Sequence, residues 1–218
     1  HIIFGFEGIP KIGNFEFVIF LKPYLNTVAL NPGRTDITNV DKELLKNGKA
    51  LSYGLDIWFE NKNLEISYTL SFSYDKLEGE TLWHRTSFDK RHVFNVILKR
   101  NLFKGEVGLK MTYASGSPYT DIIARYLMAS VLPDGSLEFP FWYEVYSPRN
   151  LLTLPDYKRI DIYYEGKYKF FEYGVGIINV FNFKNLFISF YDYGKSPPIR
   201  REIYQLPFLP YFTIRAGF

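Results

Sequence analysis

The stretch Asn63-Leu64-Glu65-Ile66-Ser67-Tyr68-Thr69-Leu70-Ser71-Phe72-Ser73-Tyr74 alternates without a break for twelve residues. Successive side chains of an extended chain point to opposite faces, so Leu64, Ile66, Tyr68, Leu70, Phe72 and Tyr74 share one face. Glu65, Ser67, Thr69, Ser71 and Ser73 share the other. One face is apolar and the other is rich in hydroxyls. Strands in globular proteins run to about five or six residues, whereas a tilted strand that crosses a bilayer needs about nine to eleven. The length predicts a membrane-crossing strand.

The flanking sequence repeats the pattern. Leu51, Tyr53, Leu55, Ile57 and Phe59 stand opposite Ser52, Gly54, Asp56, Trp58 and Glu60. Val107, Leu109, Met111 and Tyr113 stand opposite Glu106, Gly108, Lys110 and Thr112. The last strand sets Phe212, Ile214, Ala216 and Phe218 against Tyr211, Thr213, Arg215 and Gly217, and alternates to its final residue. The second face holds Ser, Thr, Gly, Glu, Lys and Arg, which suits a wet lumen. A soluble sandwich would turn the same face to solvent, so strand length and the connections separate the two readings.

Strands are expected near Ile2 to Glu7, Asn14 to Tyr24, Ala50 to Glu60, Asn63 to Tyr74, Arg91 to Lys99, Lys104 to Ala114, Tyr157 to Tyr164, Phe170 to Phe181 with a continuation through Asn185 to Tyr191, and Pro207 to Phe218. The joins Gly8 to Gly13, Asn61 to Lys62, Arg100 to Phe103 and Glu165 to Lys169 are short. Those at Leu25 to Lys49, Asp75 to Lys90, Ser115 to Asp156 and Asp192 to Leu206 are long. Short and long joins alternate strictly, as periplasmic turns and extracellular loops do in an outer-membrane barrel. The expected fold class is therefore all-β, an antiparallel transmembrane β-barrel in which residues 1–218 supply about nine strands.

Composition narrows the function. Eighteen Tyr and 21 Phe suit interface girdles, where an amphipathic ring sits between lipid and water. No window approaches the eighteen or more consecutive apolar residues of a transmembrane helix. The net charge of +3 is too small to point to nucleic acid or an anionic membrane surface, and the absence of cysteine rules out disulfides and thiol chemistry. His1, His84 and His92 show no metal-ligand spacing. No triad or carboxylate pair can be assembled, so an enzyme is not expected, nor is a cofactor. The chain starts at His1 without a signal sequence and enters a strand at once, which reads as the C-terminal piece of a longer protein.

Four motifs then carry a resemblance that spans nearly the whole chain. They are Trp83 with Asp89-Lys90-Arg91-His92-Val93-Phe94-Asn95, Ser115-Gly116-Ser117-Pro118-Tyr119-Thr120, Leu154-Pro155-Asp156-Tyr157-Lys158-Arg159-Ile160-Asp161, and Asn179-Val180-Phe181-Asn182-Phe183-Lys184-Asn185. In that order, and followed by a terminal Phe218, they resemble the C-terminal part of a TonB-dependent outer-membrane receptor. Lys90 and Ile160 depart from the family's usual glutamine and leucine. The resemblance implies a barrel of about 22 strands with a plugged lumen, residence in the bacterial outer membrane among its lipids, and uptake of a scarce bulky solute such as a ferric siderophore, corrinoid or glycan. It also implies a TonB complex engaged through an N-terminal region outside this chain, and barrel-assembly machinery that reads Phe212, Ile214 and Phe218.

The family-motif residues Asp89, Arg91, His92, Gly116, Pro118, Tyr119, Pro155, Tyr157, Asp161, Asn179, Asn182 and Asn185 read first as architecture. Asp89 with Arg91 reads as a salt-bridged strand start in preference to an acid–base pair, and the asparagines as partners for backbone groups where a strand kinks. Gly174 and Gly176 read as relief of crowding on the lumen face, with close approach of a plug as the alternative. Ligand contacts are expected in the outer loops at Arg125, Trp142, Tyr143, Arg200 and Arg201, with Arg149 and Lys195 among the bases that would attract an anionic chelate. The aromatic stretch Phe139 to Tyr146 reads first as a packed hairpin and second as a stacking surface. A passive channel and a soluble β-barrel binding module are the rival functions.

Overall fold

The computed structural model describes residues 1–9, 11–30, 44–128, 134–136, 141–192, 194–195 and 197–216. Within them the chain forms β1 (Ile2–Gly8), β2 (Asn14–Leu30), β3 (Leu44–Glu60), β4 (Leu64–Lys76), β5 (His84–Arg85), β6 (His92–Leu102), β7 (Gly105–Ala114) and β8 (Pro118–Tyr119). It continues with β9 (Ile122–Met128), β10 (Phe141–Tyr146), β11 (Leu152–Thr153), β12 (Tyr157–Tyr168), β13 (Phe171–Ile178), β14 (Leu186–Asp192), β15 (Ile199–Tyr204) and β16 (Leu209–Ala216). No helix occurs among the described residues.

One large antiparallel sheet runs β1-β2-β3-β4-β6-β7-β12-β13-β16, with β5 paired to the end of β4. Its nine long strands are those expected from the alternation, in chain order, each paired with the next. Several run further than the sequence suggested. β2 continues to Leu30 and β3 starts at Leu44, because their pairing persists through register shifts at Leu25/Thr27 and Thr27/Ala29. β12 reaches Tyr168, where Lys169 at φ 53° turns the chain into β13. The turn after β6 places Phe103 and Lys104 at φ 49° and 65°, the two positive values that a type I′ hairpin turn needs. After β3, the Asn61 side chain accepts hydrogen bonds from the amides of Asn63 and Leu64 and closes that turn.

The expected continuation of β13 through Asn185 to Tyr191 does not belong to this sheet. β13 ends at Ile178, Asn179 and Asn182 take φ values of 54° and 52°, and β14 pairs instead with β15 in a separate hairpin. Asparagine tolerates the left-handed region better than most residues, and two of them three positions apart turn the strand out of the sheet.

Register decides which side chains share a face, because directly paired residues in an antiparallel ladder point the same way. One row reads Phe6, Phe17, Ile57, Tyr68, Phe94, Tyr113 across six strands. Another reads Leu98, Leu109, Ile162, Ile177. The apolar faces of all nine strands therefore join into one surface. Nothing among the described residues packs over it: Phe4 is 71% exposed, Val175 49% and Phe212 64%. The buried apolar side chains among those described are few: Phe20, Leu77, Val96, Ala114 and Pro118.

The opposite face is polar and laced by cross-strand hydrogen bonds. Thr69 Oγ1 donates to Asp56 at 2.6 Å, Asn95 Nδ2 to Ser67 Oγ at 3.2 Å, and the Ser52 and Ser73 hydroxyls meet at 2.9 Å. On this face Gly176 lies beneath the ring of Tyr211, its neighbour on β16. A Cβ at Gly176 would stand 2.7 Å from that ring, so a side chain there would have to displace Tyr211. The sheet is open: β1 and β16 each pair on one side among the described residues.

Candidate functional site

The long connections after β4, β7 and β13 leave one end of the sheet, and the four motifs gather there. Asp89 is 1% exposed. Its Oδ1 accepts the Ser73 amide at 3.0 Å, and its Oδ2 accepts Arg85 Nε at 2.5 Å, with Arg91 Nε 3.7 Å away. A buried carboxylate needs such partners, and here they tie the 77–91 connection back onto β4. Arg91 also lies over the Phe72 ring at 5.2 Å, and the His92 ring nitrogen Nδ1 meets the Tyr68 hydroxyl at 2.9 Å.

The second and third motifs lock onto each other. The Asp156 carboxylate accepts the Gly116 amide at 3.1 Å and the Tyr113 hydroxyl at 2.9 Å, while Leu154 N donates to Ser117 O at 2.9 Å. β8 and β11 then pair Tyr119 with Leu152 and buried Pro118 with Thr153. A side chain at Gly116 would run into the Leu154 carbonyl, which is why the position is glycine. Pro155 is exposed between β11 and β12, and Tyr157 opens β12 opposite Ala114, its hydroxyl 3.4 Å from Arg159 Nη1.

The fourth motif is a cluster of asparagines bonded to backbone. Fully buried Asn179 accepts Phe183 N through Oδ1 and donates through Nδ2 to the carbonyls of Phe183 and Leu206. Its amide donates to Asp161 at 2.9 Å, and Asp161 is held by Arg159 at 2.8 Å. Asn185 brackets Lys158, accepting its amide and donating to its carbonyl, and Asn182 accepts the amide of Phe208. These residues end β13, aim β14–β15 outward and return the chain to β16.

The residues expected to meet a ligand lie on the two outlying hairpins. β9–β10 pairs Arg125 with Glu144, Tyr126 with Tyr143 and Leu127 with Trp142, whose side chain lies outside the described residues. The Tyr126 and Tyr143 rings are 5.0 Å apart, and the Arg125 guanidinium lies 3.3 Å over the Tyr191 ring of β14. Arg200 on β15 reaches back to Asp121 at 3.3 Å and to Ser189 at 3.1 Å. A hydrogen bond with Tyr119 is the main reason its guanidinium holds its proton more tightly than usual. Arg201 pairs with Asp192 at 3.2 Å. The two hairpins thus meet through Arg125 and Arg200, around a cleft of about 280 Å³ lined by Asp121, Glu144, Tyr146, Ser189 and Phe190 among others.

Arg149, read from sequence as a base for attracting ligand, is committed elsewhere. Its guanidinium donates to both Glu80 oxygens at 2.9 and 2.7 Å and to Asp75 at 2.8 Å, while neighbouring Asn150 Nδ2 donates to the Arg85 carbonyl. Partial burial would raise the Glu80 carboxyl, but the Arg149 hydrogen bonds and the Leu77 amide hold it below the ordinary carboxylate range. Glu80, Asp75 and Asn150 had no sequence signal, since their partners lie some seventy positions away. At the other end of the sheet, Phe212 and Ile214 lie on the apolar face and are exposed, and Phe218 lies outside the described residues.

No group of three metal-ligating side chains converges among the described residues. The arrangement is suited to holding connections in place and presenting their tips. The fold defines an antiparallel all-β protein with one uncovered apolar face; compared with protein-family models, curated proteins and solved structures, the chain matches none.

Proposed function

We propose that this chain forms wall strands of a bacterial outer-membrane β-barrel, and that the barrel is a TonB-dependent receptor importing a scarce bulky solute. The observation that carries the membrane reading is the uncovered apolar face, continuous over nine strands and backed by a polar one. A water-soluble sheet buries its apolar face against a second layer, and large exposed apolar surfaces mark contact with another apolar phase. The dimensions agree. On β4 the apolar side chains run from Leu64 to Tyr74, ten steps of about 3.4 Å, which at a tilt of about 45° spans about 24 Å. The apolar band of an outer-membrane barrel is about 25 Å tall.

Strand direction supports a larger barrel. Direction reverses at every step, so β1 and β16 run the same way and cannot close antiparallel on each other. Closure takes an odd number of further strands, and a barrel of about 22 would supply about thirteen. The receptor reading rests on the four motifs, whose residues knit the long connections to the strand ends. In that reading Arg125, Trp142, Tyr143, Arg200 and Arg201 sit on the outer hairpins where solute would arrive, and a TonB complex would act through a region outside this chain. The wall strands themselves carry no chemistry.

Two measurements test the proposal. Membranes of expressing cells, washed with alkaline carbonate, should retain the chain until detergent is added; release by carbonate alone would favour a soluble binding module. Translation of the reading frame upstream of the His1 codon should give a coupling segment, a compact plug and about a dozen more alternating strands. A frame with strands and no plug would favour a passive channel.

A further inference from the structure

The apolar face ends, on the long-loop side, in a row of bases. Lys49 and Lys76 are directly paired across β3 and β4, two residues beyond the Leu51–Tyr74 pair, and so continue the apolar face outward. Like charges directly opposite one another destabilise a sheet, yet among the described residues neither lysine forms an ion pair. The row extends along the same edge. Arg91 lies over Phe72 and donates to the Tyr74 hydroxyl at 3.5 Å, His92 follows it at the start of β6, and exposed Lys158 begins the apolar face of β12 opposite Tyr113.

Acids lie close to this edge, but among the described residues none pairs with Lys49 or Lys76. Asp89 shares its single charge between Arg85 and Arg91. Asp156 bonds to the Tyr113 hydroxyl and the Gly116 amide and keeps its charge two residues from Lys158, while Asp75 and Glu80 share the single charge of Arg149. Glu78, beside the end of β4, accepts from Asn47 at 3.5 Å. The Lys49–Lys76 pair therefore stands above Tyr53, Phe72 and Tyr74, at the height where head groups would meet the wall.

We infer that this edge binds the phosphate groups of a phosphorylated lipid head group in the leaflet it faces, with Lys49 and Lys76 sharing one phosphate. This rests on the membrane-wall reading. An anion between the lysines turns a repelling pair into two charge-assisted contacts, and aromatic rings beneath them pack against the upper acyl chains.

The test is lipid selectivity by electron paramagnetic resonance, with the full chain in phosphatidylcholine bilayers and trace spin-labelled phosphatidic acid or phosphatidylcholine. The expected result is preferential immobilisation of phosphatidic acid by about fivefold or more, falling to near parity in K49Q/K76Q/K158Q while the total immobilised lipid stays constant. Lys167→Gln, on the polar face, should leave the preference intact. Equal immobilisation of both lipids by the unaltered chain, or a preference that survives the triple substitution, overturns the inference. If no lipid is immobilised at all, the wall reading itself fails, which separates the two.

Discussion

The broad sheet and the outlying hairpins are both β-structure, but they are held by different forces. In the sheet, order comes from backbone ladders up to fifteen residue pairs long and from two faces of opposite polarity. Beyond its end, β8–β11, β9–β10 and β14–β15 are short, and long-range charged contacts hold them: Arg149 to Glu80 and Asp75, Arg200 to Asp121, Arg125 over Tyr191. Changes of face polarity should therefore damage the sheet, and changes of charge should damage the hairpins.

The largest effect is expected in the middle of the apolar face. Leu70→Lys should lower stability in bilayers by about 3 kcal/mol, whereas Ser71→Lys on the polar face should cost less than about 1 kcal/mol. Urea unfolding from lipid vesicles measures both, and equal costs would erase the distinction between faces. Next comes Asn179→Ala, which removes the side chain that bonds the partly buried Phe183 amide and the Phe183 and Leu206 carbonyls and should cost about 2 kcal/mol. Hydrogen exchange should speed up at Phe183 and Asn182 and stay unchanged at Ile66 to Leu70.

A smaller change follows Arg149→Ala, about 1 kcal/mol for partly exposed ion pairs, seen as faster proteolysis within 77–91 and 147–151. The same contact sets a pH dependence. Because the folded Glu80 carboxyl lies below the ordinary value, its contribution is complete above about pH 4.3 and is lost as the pH falls from there through the lowered value. Proteolysis of 77–91 should rise over that acid range in the unaltered chain and rise less in Glu80→Gln, where Asp75 and Asp89 remain to titrate. Least of all, Lys167→Ala removes an exposed pair with Glu172 and should stay within about 0.5 kcal/mol.

The same contrast explains what the sequence made legible. Period-two alternation is local, so Asn63 to Tyr74 announces both its strand and its faces, and nine such segments with alternating joins order the sheet. Strand ends were less legible. Leu25 to Leu30 loses the alternation but keeps its partner, and Tyr157 to Tyr168 runs on because only two residues, Lys169 and Phe170, turn the chain. The path after Ile178 was misread because Leu186 to Asp192 has strand composition whether or not it joins the sheet, and the deciding signal is the backbone sign at Asn179 and Asn182. Asp89, Gly116 and the asparagines stood out as motifs, but their partners Ser73, Leu154 and Leu206 carry no mark of the pairing. Arg149 is the extreme case, since a surface-like arginine between Pro148 and Asn150 gives no hint of acids some seventy positions back.

The central claim is that the apolar face of the sheet meets lipid. The chain has no cysteine, so single cysteines placed at each position from Ile66 to Phe72 can be labelled without background, with the chain in bilayers. A lipid-soluble quencher and a water-soluble reagent should divide them by parity: labels at 66, 68, 70 and 72 reached from lipid, those at 67, 69 and 71 reached from water. Labels at 66, 68, 70 and 72 shielded from lipid, or reached from water as readily as 67, 69 and 71, would contradict the account.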